Sequence, residues 1–445
     1  LNFWIKRSAI GGTNPVAGVR PLDIFTPRSG TSGSVLNEMF FGATGSYGAG
    51  DAFVITNTNT GAYVLSTDNL FRDTSAWYNF HIQADLDNGT ASEKIKIFVN
   101  GTEVSYNVDN RGSFTSLAGF TAGAWTIGDY HGYGYPIQSY LAAWAYVDGY
   151  THPPTDFAES KNGVWIPKDL SSGITWGSAG HLLMFQDSSA LGDDTSGEGN
   201  DWAVANIAAH DQMLDSPTFN SNSNGGNMCT WNPLDAKNMA VPTEGNLSVD
   251  FSGSNYNQIR GTMSIGNSGK WYMELYKTNT YASYPAWGIC DQNQKLTASY
   301  TTPGYLAKAM AGIAWDFNAS KVYKSLTYSE SASGTEIGTT ANVYTNTAQI
   351  VGMAIDLDNN KIFTHVDGTW DSGCGNPSSG GSGFDASGLS GVNNLVPVVL
   401  PSSVNSPAYV LVGGFGADST FGGLTSAGSG TDANGYGNFK YSVPT

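Results

Sequence analysis

Apolar residues in this 445-residue chain come in short runs with a period of two, and 56 glycines punctuate them. That pattern suits short antiparallel strands joined by tight turns, and it excludes an architecture of long helices, whose apolar positions recur every three to four residues. From Tyr78 to Ala84 the residues Tyr78, Phe80, Ile82 and Ala84 alternate with Asn79, His81 and Gln83, which predicts a half-buried strand with one wet face. Lys94 to Val99, then Asn100-Gly101, then Thr102 to Val104 predicts a hairpin, because Asn-Gly tolerates the positive φ angles of a type I′ turn.

The strand pattern fills residues 1–152, fades over 153–235 and returns over 236–445, so two β-sandwiches joined by a partly structured connector are expected. Within the connector, Asn206 to Leu214 allows at most a brief helix. Tyr305 to Met310 is compatible with either helix or strand, and the Gly/Ser tract from Asp371 to Gly391 is expected to be a surface loop. The two strand-rich parts also resemble each other. Ala84 to Asn88 leading to Lys96 to Thr102 has its counterpart in Ala354 to Asn359 leading to Lys361 to Thr369, each reading strand, polar turn, strand, Asn-Gly or Asp-Gly, strand. Seven tryptophans on these strands, Trp4, Trp77, Trp125, Trp144, Trp271, Trp287 and Trp315, are expected in the core.

Only 13% of residues are charged and the formal net charge is −17, so a groove for nucleic acid or for anionic lipid would have to work against the overall field. No run of 18 apolar residues offers a membrane-spanning helix. Cys229, Cys290 and Cys374 are odd in number and far apart, which predicts buried thiols rather than a disulfide framework or a zinc site.

The run Phe3 to Ser8, Trp77-Tyr78, Ile97 to Gly101, Thr126 to Gly128 and Tyr140 to Ala142 resembles laminin-G-like members of the concanavalin A-like superfamily. Gly269 to Glu274, Trp287 to Ile289 and Val351 to Asp356 resemble SPRY-like domains of the same superfamily. The connector segments Asp187 to Gly197, Asn200 to Trp202, Asp211 to Thr218 and Thr230 to Leu234, with Thr431 to Tyr441 at the end, resemble a segment of virion proteins from aquatic tailed phages. The resemblance implies an all-β chain of two concanavalin A-like (jelly-roll) sandwiches. It also implies a virion protein at the particle surface, assembled with other virion proteins and with its own copies, often as a trimer. Two departures stand out: the chain opens on an interior strand without Met or the usual preceding strand, and it stops soon after Tyr441. Both imply a piece of a longer polypeptide.

Glucanases share this superfamily, and a retaining glycosidase needs two carboxylates about 5 Å apart. No two glutamates stand within five positions of each other, so a Glu-x-Asp-x-Glu strand does not exist; Asp85/Asp87 and Asp356/Asp358 have the two-residue spacing but sit in polar turns. No His-Glu-x-x-His, nucleophile elbow or complete phosphate loop is present. Asp85 and Asp87 are the calcium candidates, in half of an oxygen-rich loop that lacks the rest of an EF-hand. The binding candidate is the segment Gly128 to Pro136, where Asp129, Tyr130, His131, Tyr133 and Tyr135 combine flat rings with polar groups in a Gly-rich loop. The other reading of these rings is packing over a sandwich edge or against a neighbouring subunit.

The expectation is a non-enzymatic structural part of a tailed-phage virion, an external fibre or appendage that contacts host-surface polysaccharide, with no cofactor, nucleic acid or membrane insertion. The rivals are a decoration protein without glycan specificity, a polysaccharide-degrading enzyme of the same superfamily and a secreted adhesin.

Overall fold

Strand pairs with strand antiparallel throughout, as the two-residue alternation demands. The computed structural model describes residues 1–10, 23–27, 38–42, 50–56, 64–115, 117, 125–129, 137–217, 226–237, 242–251, 258–278, 286–296, 310–317, 319–329, 334–340, 347–392, 394–400 and 410–445. The chain divides into two units, Leu1–Gln212 and Met213–Thr445.

The first unit is built from β1 (Asn2–Arg7), β2 (Asp23–Pro27), β3 (Glu38–Phe41), β4 (Ala52–Thr56), β5 (Val64–Leu70), β6 (Trp77–Ala84), β7 (Ile95–Val99), β8 (Thr102–Glu103), β9 (Tyr106–Asp109), β10 (Trp125–Ile127) and β11 (Ser139–Tyr146). A small hairpin, β12 (Ala158–Lys161) with β13 (Val164–Pro167), and a last strand β14 (His181–Leu183) follow. One sheet runs β14, β11, β1, β6, β7, β8 and the other β10, β2, β3, β4, β5, β9. Aromatic rings fill the space between them: Phe3 stacks on Phe80 at 5.5 Å and on Trp144 at 5.0 Å, and Phe53 meets Phe80 at 4.6 Å.

The second unit is built from β15 (Trp231–Lys237), β16 (Ser248–Asp250), β17 (Gln258–Gly261), β18 (Lys270–Lys277), β19 (Ala286–Asp291), β20 (Gly312–Asp316), β21 (Lys321–Ser325) and β22 (Thr335–Thr339). It continues with β23 (Gln349–Asp356), β24 (Lys361–Val366), β25 (Thr369–Trp370), β26 (Phe384–Asp385), β27 (Leu395–Leu400), β28 (Val410–Gly414), β29 (Gly430–Thr431) and β30 (Asn438–Phe439). Its sheets run β16, β28, β18, β23, β24, β25 and β15, β17, β27, β19, β20, β21, β22. Trp231, Trp287 and Trp315 are fully buried between them.

The two strand orders coincide. The order β11, β1, β6, β7, β8 is repeated as β28, β18, β23, β24, β25, and β10, β2, β3, β4, β5 as β27, β19, β20, β21, β22. Both units are therefore antiparallel jelly-roll sandwiches, wound the same way. Each carries the same tight hairpin: Asn100 and Gly101 have φ of 49° and 79°, Asp367 and Gly368 of 49° and 78°. These are type I′ turns, as Asn-Gly and Asp-Gly predict. At Gly101 a β-carbon would also lie 2.7 Å from the Trp165 ring, so Gly101→Ala should destabilise the first unit by about 1–3 kcal/mol in urea unfolding. An unchanged midpoint would contradict this.

The segment expected as a connector is shared between the units, and its first part is a lid. Residues 152–165 lie over the outer face of the β1/β6/β11 sheet, where Ala158 and half-buried Trp165 pack on Trp4 and Trp77. The strand from Tyr78 to Ala84 is accordingly buried on both faces at its centre, with Asn79 and His81 as inaccessible as Phe80 and Ile82. Their polarity is answered from the lid. Trp165 Nε1 donates to Asn79 Oδ1 at 3.0 Å, the Asn79 amide donates to Asn2 Oδ1 at 3.0 Å, and His81 Nε2 donates to the His152 carbonyl at 2.9 Å.

The second unit seals the same face of its own sheet with residues that follow β28. Glu274, fully buried on β18, accepts the backbone N–H of Lys440 on Oε2 at 2.8 Å and that of Tyr441 on Oε1 at 2.9 Å. Tyr272 donates its hydroxyl to the same Oε1 at 2.8 Å and lies 2.7 Å from His365 Nε2. Because the Gly368 N–H donates to His365 Nδ1, the ring proton sits on Nε2 and donates to Tyr272. Desolvation is the main cause of both shifts here, raising the Glu274 carboxyl and lowering His365 to about 4.

Other expectations meet mixed outcomes. The Gly/Ser tract 371–391 is anchored rather than superficial: Cys374, Phe384, Ala386 and Leu389 are in the core, and Phe384–Asp385 pairs with β24. Only a 3-10 turn, Ala209–Asp211, forms between Asn206 and Leu214. Residues 305–309 lie outside the described residues. Cys290 and Cys374 are buried and Cys229 half-buried, none of them in a disulfide. Among the described residues no helix is long and apolar enough to cross a membrane.

Candidate functional site

The sequence-predicted calcium pair lies in the turn after β6. Asp85 and Asp87 are exposed, and the Asn88 amide bridges to Asp85 Oδ2 at 3.4 Å. Among the described residues no three His, Cys, Asp or Glu side chains converge as metal ligands. Of the binding candidates, Tyr130, His131, Tyr133 and Tyr135 lie outside the described residues; Asp129 is half-buried, and its carbonyl accepts the Thr26 hydroxyl at 3.3 Å. The two ends of the segment are joined. Ile137 N–H donates to the Gly128 carbonyl at 2.6 Å, and Gly128 N–H to that of Ile24 at 3.0 Å.

Beside that base stands a cluster of rings at the open side of the sandwich, where β10 ends one sheet and β14 the other. Trp125 meets Tyr146 edge-on at 5.1 Å and Trp202 at 6.1 Å. His181 stacks on Tyr146 at 5.4 Å and meets Trp202 at 5.2 Å. The three larger rings are half-buried, so Trp125 is not the core residue its strand position suggests, whereas His181 is buried. Burial holds His181 below the usual histidine range, hence neutral at pH 7. Its Nδ1 donates to the Ala179 carbonyl at 3.2 Å, and Nε2 is buried with no hydrogen-bond partner among the described residues. Burial, helped by the nearby Asp148 charge, pushes the Tyr146 hydroxyl up to about 12. The cluster therefore offers flat uncharged ring surface packed over a buried histidine.

Trp202 reaches His181 because of the acidic motif before it. Asp194 Oδ1 accepts the N–H groups of Leu182 at 2.8 Å and Ser196 at 2.9 Å, and Oδ2 accepts the Ser196 hydroxyl at 2.9 Å and Asn200 N–H at 2.8 Å. Burial would raise this carboxyl, but the hydrogen bonds outweigh it and hold it below the ordinary range. The Asn200 amide donates in turn to the Ser178 and Gly180 carbonyls, and Trp202 N–H to that of Gly192 at 2.8 Å. Asp194→Ala should cost about 2 kcal/mol and raise the solvent accessibility of the Trp202 indole, read by unfolding and by acrylamide quenching. An unaltered quenching profile would argue against this role. The Asn200-Asp201-Trp202 motif was visible in the sequence; what it packs on was not.

Trp271 is the other departure. It is 43% exposed at the start of β18, whereas Trp4, Trp144, Trp287 and Trp315 are at most 2% exposed.

No protein-family model and no curated protein matches the chain. Among solved structures it is similar to the SPRY domain of human HERC1, at 14% identity and TM-score 0.30 over 41% of this chain and 96% of that one. It is similar also to the TRIM65 PSpry domain, at 9% identity and TM-score 0.29 over 42% and 88% of the two chains. The potassium-bound carbohydrate recognition domain of Emp46p matches at 11% identity and TM-score 0.29 over 42% and 85%. Those values are too low to bear on function, and the fold assignment rests on the strand order itself.

Proposed function

We propose that the protein is a non-catalytic structural and binding component of a tailed-phage virion, an external homo-oligomeric part whose first sandwich contacts host-surface glycans. The observation that carries the glycan reading is the half-buried cluster of Trp125, Tyr146 and Trp202 packed around buried His181, beside the joined ends of the tyrosine-rich segment. Aromatic faces with a few fixed polar atoms suit the C–H face and hydroxyls of a sugar ring. The virion reading is supported by the resemblance of Asp187 to Gly197, Asn200 to Trp202, Asp211 to Thr218, Thr230 to Leu234 and Thr431 to Tyr441 to virion proteins of aquatic tailed phages. The test is an array of bacterial surface polysaccharides, reading retained protein and released reducing ends from the same wells. Retention without cleavage, reduced at least tenfold by Trp202→Ala and by Tyr133→Ala with Tyr135→Ala, is the expected result. Cleavage would replace it with the enzyme reading, and no retention with a purely architectural part.

A further inference from the structure

The second sandwich carries an aromatic surface of its own. Trp271 lies on the same face of β18 as the core residues Met273 and Leu275, yet at the end of the strand its indole emerges from the core. Its N–H is already used, donating to the Ser268 carbonyl at 2.9 Å, so the ring is fixed and what it exposes is apolar. The hairpin turn between β23 and β24 adjoins it. Gly269 N–H donates to Asp358 Oδ1 at 2.8 Å, and a β-carbon on Gly269 would lie 3.5 Å from the Trp271 ring nitrogen. Exposed Asn359 is held by two bonds to Asp356, its N–H to Oδ1 at 2.9 Å and its amide to Oδ2 at 2.8 Å.

We infer that Trp271, with Asp358 and Asn359, forms a carbohydrate-contact site on the second sandwich that takes a neutral hexopyranose. The fixed indole supplies a stacking face for the sugar's C–H groups without loss of side-chain freedom on binding. Asp358 Oδ2 and the Asn359 amide oxygen supply acceptors for its hydroxyls. Lys270 and Lys361 both stand opposite Asp356, so beside Asp356 and Asp358 they leave no local excess of positive charge, and the net charge of −17 disfavours uronic and other acidic sugars. The inference does not depend on the first-sandwich site.

The test is saturation-transfer NMR of the full chain carrying Trp202→Ala, which removes the first-sandwich contact, with lactose, cellotetraose and trigalacturonate as probes. A neutral oligosaccharide should bind and trigalacturonate should not. Adding Trp271→Ala should weaken binding at least tenfold. Adding Asp358→Asn, which retains an acceptor for Gly269 N–H but removes the charge, should weaken it severalfold with no change in melting temperature. Binding of neither neutral probe, or binding unaffected by Trp271→Ala, would overturn the inference.

Discussion

Replacing Asp51 by Ala should destabilise the first unit by about 3–5 kcal/mol, because it strands a buried guanidinium. Arg7 on β1 is fully buried, with its Nη2 2.9 Å from Asp51 Oδ1, its Nη1 donating to the Phe71 carbonyl and its planar head 4.2 Å from the Phe41 ring centre. Burial lowers the Arg7 pKa and the Asp51 charge is the main opposing influence, so the aspartate is what keeps the cation tolerable there. Asp51 also accepts Arg72 Nε at 2.9 Å, but the Arg72 side chain is 54% exposed. Arg72→Ala should therefore cost no more than about 1 kcal/mol. The pair of variants separates a buried charge from a surface one within a single carboxylate. Urea unfolding in which the two cost the same would show that Arg7 finds water or another partner.

Glu274→Ala should have an effect of similar size, about 3–5 kcal/mol, in the second unit. It removes the acceptor of three donors at once, leaving the N–H groups of Lys440 and Tyr441 and the Tyr272 hydroxyl unanswered beneath the lid. Hydrogen exchange at Lys440 and Tyr441 should accelerate along with the loss, and protection equal to wild type would contradict the assignment. The same cluster sets an acid response. His365 is lowered to about 4 in the folded state, against an ordinary value near 6.5, so the unfolded chain binds the extra proton first. Its contribution is present above pH 6.5 and is lost as pH falls from there toward 4. The raised Glu274 acts with the opposite sign: its contribution is full below the ordinary carboxylate range and is lost as pH rises through its elevated value. His365→Gln should leave the second unit less dependent on pH between 6.5 and 4, read from unfolding midpoints across that range. A slope as steep as wild type would assign the response to other groups.

The sandwiches were legible because their information is local. Asn100-Gly101 and Asp367-Gly368 announce their turns, and Tyr78 to Ala84 announces a strand, without reference to anything distant. What covers the strand is not local. Asn79 reads as wet until Trp165, 86 residues later, supplies its partner, and Glu274 meets Lys440 and Tyr441 across more than 160 residues. Strand position also misassigned Trp125 and Trp271, because alternation tells which face a residue is on and not whether the neighbouring element extends far enough to cover it. The tyrosine-rich segment was singled out by composition, while the ring cluster at its base depends on the pairing of β11 with β14 and on the Asp194 turn. Neither has a signature short enough to read from sequence.

Both lids arrive late. Residues 152–165 and those beyond Gly414 leave the ribosome only after every strand of the sheet's repeated set has been made. In that interval the face awaiting cover would be an adhesive surface if it were lined with leucine and valine. Asn79 and His81, beside Trp4 and Trp77 in one unit, and Tyr272, Glu274 and His365 in the other are hydrated instead, so polar groups break up the apolar part of each nascent face until later residues displace the water.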